Sequence, residues 1–147
     1  MSVESILNHL GAIITAILGL MGLLFPQVAA RFTGLEAKNR TAFAEFRATF
    51  GGLFVLMGVL PIVVGSASAF NFMGCLWMGT AFGRLVSVCV DQGYKEARNM
   101  AGVAFEAGIG MLLLAGSPHF ARLSSAAVPV LDGVVTVCFR LPFQAAT

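Results

Sequence analysis

The chain has 147 residues, 58% of them apolar and only 11% charged, where an average soluble domain carries roughly 25% charged residues. Nine Lys and Arg against seven Asp and Glu leave a net charge of +2, too small and too scattered for an electrostatic footprint on nucleic acid. A mean hydropathy of +0.89 means that the outer surface is greasy too, so the composition reads as an integral membrane protein whose solvent is lipid.

The first predicted element lies in the 26 residues between Glu4 and Arg31, none of them charged, and a transmembrane helix needs about 20. We place this span at 6–25, stopped by Pro26. Val28-Ala29-Ala30 resembles a signal-peptidase site, but no Lys or Arg precedes the apolar stretch, as a signal peptide requires.

The middle of the chain is the most informative. Residues 48–83 form an uncharged run of 36, with a turn signal near Pro61 and Gly65-Ser66-Ala67-Ser68. Two spans and a turn need about 44 residues, so charged residues must enter the membrane. The predicted spans are 42–64 and 69–90, which take in Glu45, Arg47 and Arg84. A fourth span is expected at 99–116, ends before Pro118 and carries Glu106. The fold expected is an all-α, four-helix transmembrane bundle (residues 1–117) followed by a tail, 118–147. Within that tail, 123–139 contain Pro129 and Asp132, which favours an interfacial or re-entrant segment, or an arm over a neighbouring subunit.

The connection 26–41 holds Arg31, Lys38 and Arg40, and 91–98 holds Lys95 and Arg98. By the positive-inside rule both face the cytoplasm, which leaves the N-terminus and the end of the fourth helix outside. Residues 26–35 mix Val28, Ala29, Phe32 and Leu35 with basic groups, as a segment lying along the membrane surface does.

Arg47, Arg84 and Glu106 are expected some 7 to 11 Å below one boundary. A charge at a helix centre costs about 2.5 to 3.5 kcal/mol on insertion scales, so these groups should face one another. At helical spacing Arg84 shares a face with Thr80, Ser87 and Asp91. Arg47 shares one with Gly51 and Gly58, and Glu106 is flanked by Gly102 and Gly110. Small neighbours let helices approach closely, and Gly79-x-x-x-Gly83 adds an expected packing face beside Arg84. Glu45 and Asp91 are candidate extra anions. Trp77 falls on the Arg84 face, as core or as a cover for a pocket. Two readings of the cluster stand side by side: an internal ion-pair network that fixes helix register, and a pocket in which paired guanidinium groups hold the phosphate, carboxylate or quinone-like head of a lipid.

These residues resemble a family of small bacterial inner-membrane proteins related in shape to the DoxX-like four-helix proteins. The resemblance rests on Glu45-x-Arg47-x-x-x-Gly51-Gly52, Gly83-Arg84, an Asp-Gly step at Asp91-Gln92-Gly93 with one extra residue, and Glu106. It covers about residues 10–115 and implies four helices and an inner-membrane address. It implies no reaction, since the family has no agreed one.

Cys75, Cys89 and Cys138 form no C-x-x-C pair, and Cys75 and Cys89, about 21 Å apart on one helix, cannot bridge each other; they read as small buried apolar residues. His9 and His119 are too few for a metal site and read as interfacial. No subset of the thirteen Phe and seven Met forms a cofactor box, no phosphate loop or hydrolase motif is present, and no metal or cofactor is expected. The function expected is that of a non-enzymatic membrane protein, self-associating or an accessory subunit of a membrane complex. Membrane lipid is its natural partner. Two alternatives are a small transporter or proton relay using Glu106, and a membrane enzyme on a lipid substrate with Glu106 as acid or base.

Overall fold

A computed structural model describes residues 2–91 and 97–117. Ser2 caps the first helix by accepting the Ser5 N–H, and α1 runs over Val3–Leu24. It ends where the sequence predicts: proline disfavours helical backbone in the residue before it, and Phe25 leaves the helix at φ −126°. Pro26 then opens a short α2, Pro26–Thr33, at the position where its missing N–H costs nothing. Gly34, at φ +80°, closes α2 by donating its N–H back to the last turn. Asn39 caps the next helix through the Ala42 N–H at 2.8 Å.

That helix, α3, spans Arg40–Val64, and its Phe46–Leu53 portion is wound as a π-helix. The π turns occupy the Arg-x-x-x-Gly-Gly stretch, a feature that apolar periodicity does not reveal. Pro61 lies within α3, buried; the turn comes later, at Gly65 with φ +66°, and Ser66 caps α4, Ala67–Val90. α5 is Ala97–Leu114.

The described residues are thus all-helical, and α1, α3 and α4 are long and apolar enough to cross a membrane. The expectation of four such spans is met in three: α5, which carries Arg98 and Glu106, is not among them. The tail 118–147, with Cys138 and His119, and most of the step after Asp91 lie outside the described residues.

α4 packs most extensively against α5, α1 against α3, and α1 also against α5. The α1–α3 contact is a glycine interlock. A Cβ on Gly22 would run into the Phe50 carbonyl, and one on Gly58 into the Ala16 amide, so the two backbones touch directly. Between these pairs sit Ala12, Met57, Phe70, Met73, Trp77, Ile109 and Leu113 as one buried cluster. Ile13, Ile17, Leu56, Val63, Phe72 and Phe82 point outward, exposed, the inverse of a water-soluble surface. α3 and α4 follow each other directly yet touch less than α1 does α3 or α4 does α5.

Candidate ligand-binding cleft

An open cleft of about 1150 Å³ is lined by α1, α2, α3, α4 and α5. α1 contributes Leu18 and Met21. One wall is the π-wound part of α3 and the turn after it, with Phe50, Leu53 and Phe54; the other is α4 and α5, with Leu76, Trp77 and Phe105. Its polar groups gather toward the end where α4 finishes and α5 begins: Arg31 and Thr33 of α2, Arg84 and Ser87 of α4, and Arg98, Asn99 and Glu106 of α5. Arg98 Nη1 donates to the Arg31 carbonyl at 3.4 Å, which ties α2 to the start of α5, and Phe32 meets the Phe105 ring edge-on at 6.3 Å. The cleft is a largely apolar trough whose lining includes three arginines, Arg31, Arg84 and Arg98, and one carboxylate, Glu106.

Within it Arg84 and Glu106, two of the three groups expected to face one another, form an ion pair. Nη2 and Nε of Arg84 both donate to Oε1 of Glu106, at 2.6 and 3.0 Å. The Glu106 side chain keeps 11% of its accessibility and Arg84 30%, so the carboxylate is enclosed while the guanidinium borders the cleft. Gly102 is the reason Arg84 fits. A Cβ there would stand 2.7 Å from Arg84 Nε. Gly110, one turn the other way, accepts Met78. The second carboxylate oxygen of Glu106, Oε2, is buried and finds no donor among the described residues.

Trp77 is buried and anchors the floor: its indole N–H donates to Thr15 Oγ1 at 3.0 Å, Thr15 in turn donates to the Gly11 carbonyl, and Phe54 and Phe105 pack on its ring edge-on. Thr80 lines the cleft, exposed, with its hydroxyl turned back to the Trp77 carbonyl at 2.7 Å; Ser87 lines it half-buried.

Other predicted members stand elsewhere. Arg47 is exposed, donates to the Leu23 carbonyl at 3.3 Å and borders a smaller hollow with Leu24, Pro26 and Phe43. The reason is geometric: Gly51, four residues on, is pressed against Leu23 of α1, so this face of α3 looks toward the end of α1. Glu45 and Asp91 are exposed and take no part in the Arg84–Glu106 pair. Gly79 and Gly83 form no helix contact among the described residues, since a Cβ at either would meet nothing there within 4 Å. Cys75 is exposed rather than buried, and Cys89 is disulfide-bonded rather than an inert apolar filler.

Arg31 and Arg98, read in the sequence only as topology markers, turn out to border the cleft. Asn8 and Thr15 are buried polar residues that the charge pattern passed over; the spacing Asn8, Gly11, Thr15, Gly19, Gly22 is the signal that finds them, a polar and small-residue stripe on one face of α1.

No protein-family model, curated protein or solved structure matches the chain.

Proposed function

We propose that the chain is a multi-pass, non-enzymatic protein of a bacterial inner membrane that holds one anionic amphipathic lipid in this cleft. The carrying observation is the pairing, in one cavity, of a trough of aromatic and aliphatic side chains with a cationic end of Arg31, Arg84 and Arg98 against Glu106. An apolar body excludes water in such a trough, and guanidinium groups bind phosphate or carboxylate through parallel N–H donors. The ion pair and the ligand site are then one device: Glu106 holds Arg84 at the wall, and the cations of α2 and α5 remain for the ligand. α5 is taken as a fourth crossing, since Glu106 is buried against α4 and its far end packs on α1. The Lys and Arg of 26–41 and 91–98 support a cytoplasmic position for the cationic end. The resemblance to the DoxX-like four-helix family rests on the residues named above and is part of this reading. Self-association or an accessory role in a larger complex is part of the same proposal.

Native mass spectrometry of the full chain released from nanodiscs of mixed anionic and zwitterionic phospholipids tests the reading. One anionic lipid retained per chain, lost in an Arg31→Gln/Arg98→Gln variant, is the expected result. A bare chain, or retention without regard to head-group charge, contradicts it.

A further inference from the structure

The two polar features of the cleft make different demands on an occupant, and together they narrow its chemistry beyond the reading just given, on which this inference rests. Three guanidinium groups against a single carboxylate select an anion and repel an ammonium head. Glu106 asks for something else. Both Arg84 donors converge on Oε1, while Oε2, in a residue only 9% exposed, has no donor among the described residues. Buried polar atoms are almost always hydrogen-bonded, and an ionised oxygen is the costliest one to leave unmet. The residue lines the cleft, and the terminal torsion of a Glu side chain is soft, so a small rotation presents Oε2 to an occupant.

We propose that the head group held here is a phosphorylated polyol, its phosphate on the guanidinium groups of Arg31 and Arg98 and a neutral hydroxyl donating to Glu106 Oε2. A phosphoglycerol head supplies both groups; a bare phosphate monoester lacks the polyol hydroxyl, and an ethanolamine head brings its donors on a cation that Arg84 repels. The same chemistry occurs in a lipid head group and in a free glycerol phosphate. The apolar trough beside the site favours the lipid.

Trp77 is the single tryptophan and lines the cleft, so it reports occupancy directly. The full chain in detergent is titrated with brominated-chain phosphatidylglycerol, phosphatidic acid and phosphatidylethanolamine, and the quenching of Trp77 is read. The expected result is saturable quenching by phosphatidylglycerol at about a tenfold lower lipid fraction than by either of the others, the scale of one hydrogen bond to a charged group. Equal quenching by phosphatidylglycerol and phosphatidic acid overturns the polyol assignment and leaves the anionic-lipid reading standing. Absence of saturable quenching by any of the three overturns the cleft reading itself. Competition by soluble glycerol phosphate supports the head-group chemistry with a free source; a phosphatidylglycerol preference that glycerol phosphate leaves untouched supports the lipid as source. Glu106→Leu leaves neither acceptor nor donor where Oε2 stands, and it is expected to erase the phosphatidylglycerol preference. Its persistence in a folded Leu variant overturns the role of Oε2, and if that variant does not fold, the comparison among lipids on the native chain still decides.

Discussion

Arg84 and Glu106 meet through a single oxygen: two guanidinium nitrogens, at 2.6 and 3.0 Å, converge on Oε1, while Oε2 has no donor among the described residues. A pair designed only to lock two helices gains most from a two-oxygen fork, and this one leaves half of the carboxylate unused beside a cavity.

The pair still carries stability, and the cost of breaking it is asymmetric. Glu106→Leu strands a guanidinium at the cleft wall. With Arg84 30% exposed, the solvent-screened loss is about 2 kcal/mol rather than the full cost of a buried unpaired charge. The Arg84→Met/Glu106→Leu double variant restores an apolar contact and recovers at least half of that loss. Thermal unfolding in detergent of the two single variants and the double one measures the coupling, and strict additivity would show that the two side chains act independently.

Arg47 is expected to behave differently from Arg84. It is exposed and makes one 3.3 Å bond to the Leu23 carbonyl, so Arg47→Gln changes stability by no more than about 0.5 kcal/mol. A loss as large as that of Arg84→Met in the same assay would restore Arg47 to the buried cluster.

The sequence makes some of this legible and hides the rest for identifiable reasons. The overfull middle stretch, 48–83, predicts charges within the spans, and the sequence reading expects Arg47, Arg84 and Glu106 to meet as three, of which Arg84 and Glu106 do. Depth along a helix does not give azimuth, however, and Arg47, placed at the same depth, is turned toward α1 by the contact of Gly51 with Leu23. The π-helical winding of Phe46–Leu53 shifts the phase of everything after it, which a fixed 3.6-residue period cannot follow. Arg31 and Arg98 escaped because a cation in a connection reads as a topology signal until folding carries it over a cavity mouth.

The glycine interlock between α1 and α3 makes a paired prediction. Gly58→Leu drives side-chain atoms into the Ala12 and Ala16 backbone and costs about 3 kcal/mol, at the upper end for overpacking. Gly79→Leu, whose Cβ meets nothing within 4 Å, stays within about 0.5 kcal/mol of the native chain. The same unfolding assay checks both, and equal losses would remove the interlock as the basis of the α1–α3 contact.

Trp77 and Thr15 are joined by a buried 3.0 Å hydrogen bond across α1 and α4. Thr15→Val leaves the indole N–H unmet and lowers stability by about 1 kcal/mol, with a blue shift of the tryptophan emission as the hydroxyl is lost. An unchanged emission maximum and midpoint would show that the bond is not formed in the membrane.

The occupied trough is tested most directly by a diazirine-bearing anionic phospholipid, photoactivated on the full chain in nanodiscs, with the labelled residues mapped by peptide sequencing. Labels concentrated on Phe50, Leu53, Leu76 and Phe105, above the outward-facing Ile13, Val63 and Phe72, and reduced in the Arg31→Gln/Arg98→Gln variant, are the result predicted. Labels spread evenly over the outer faces, with the cleft residues untouched, would contradict the proposal that this cavity holds a lipid.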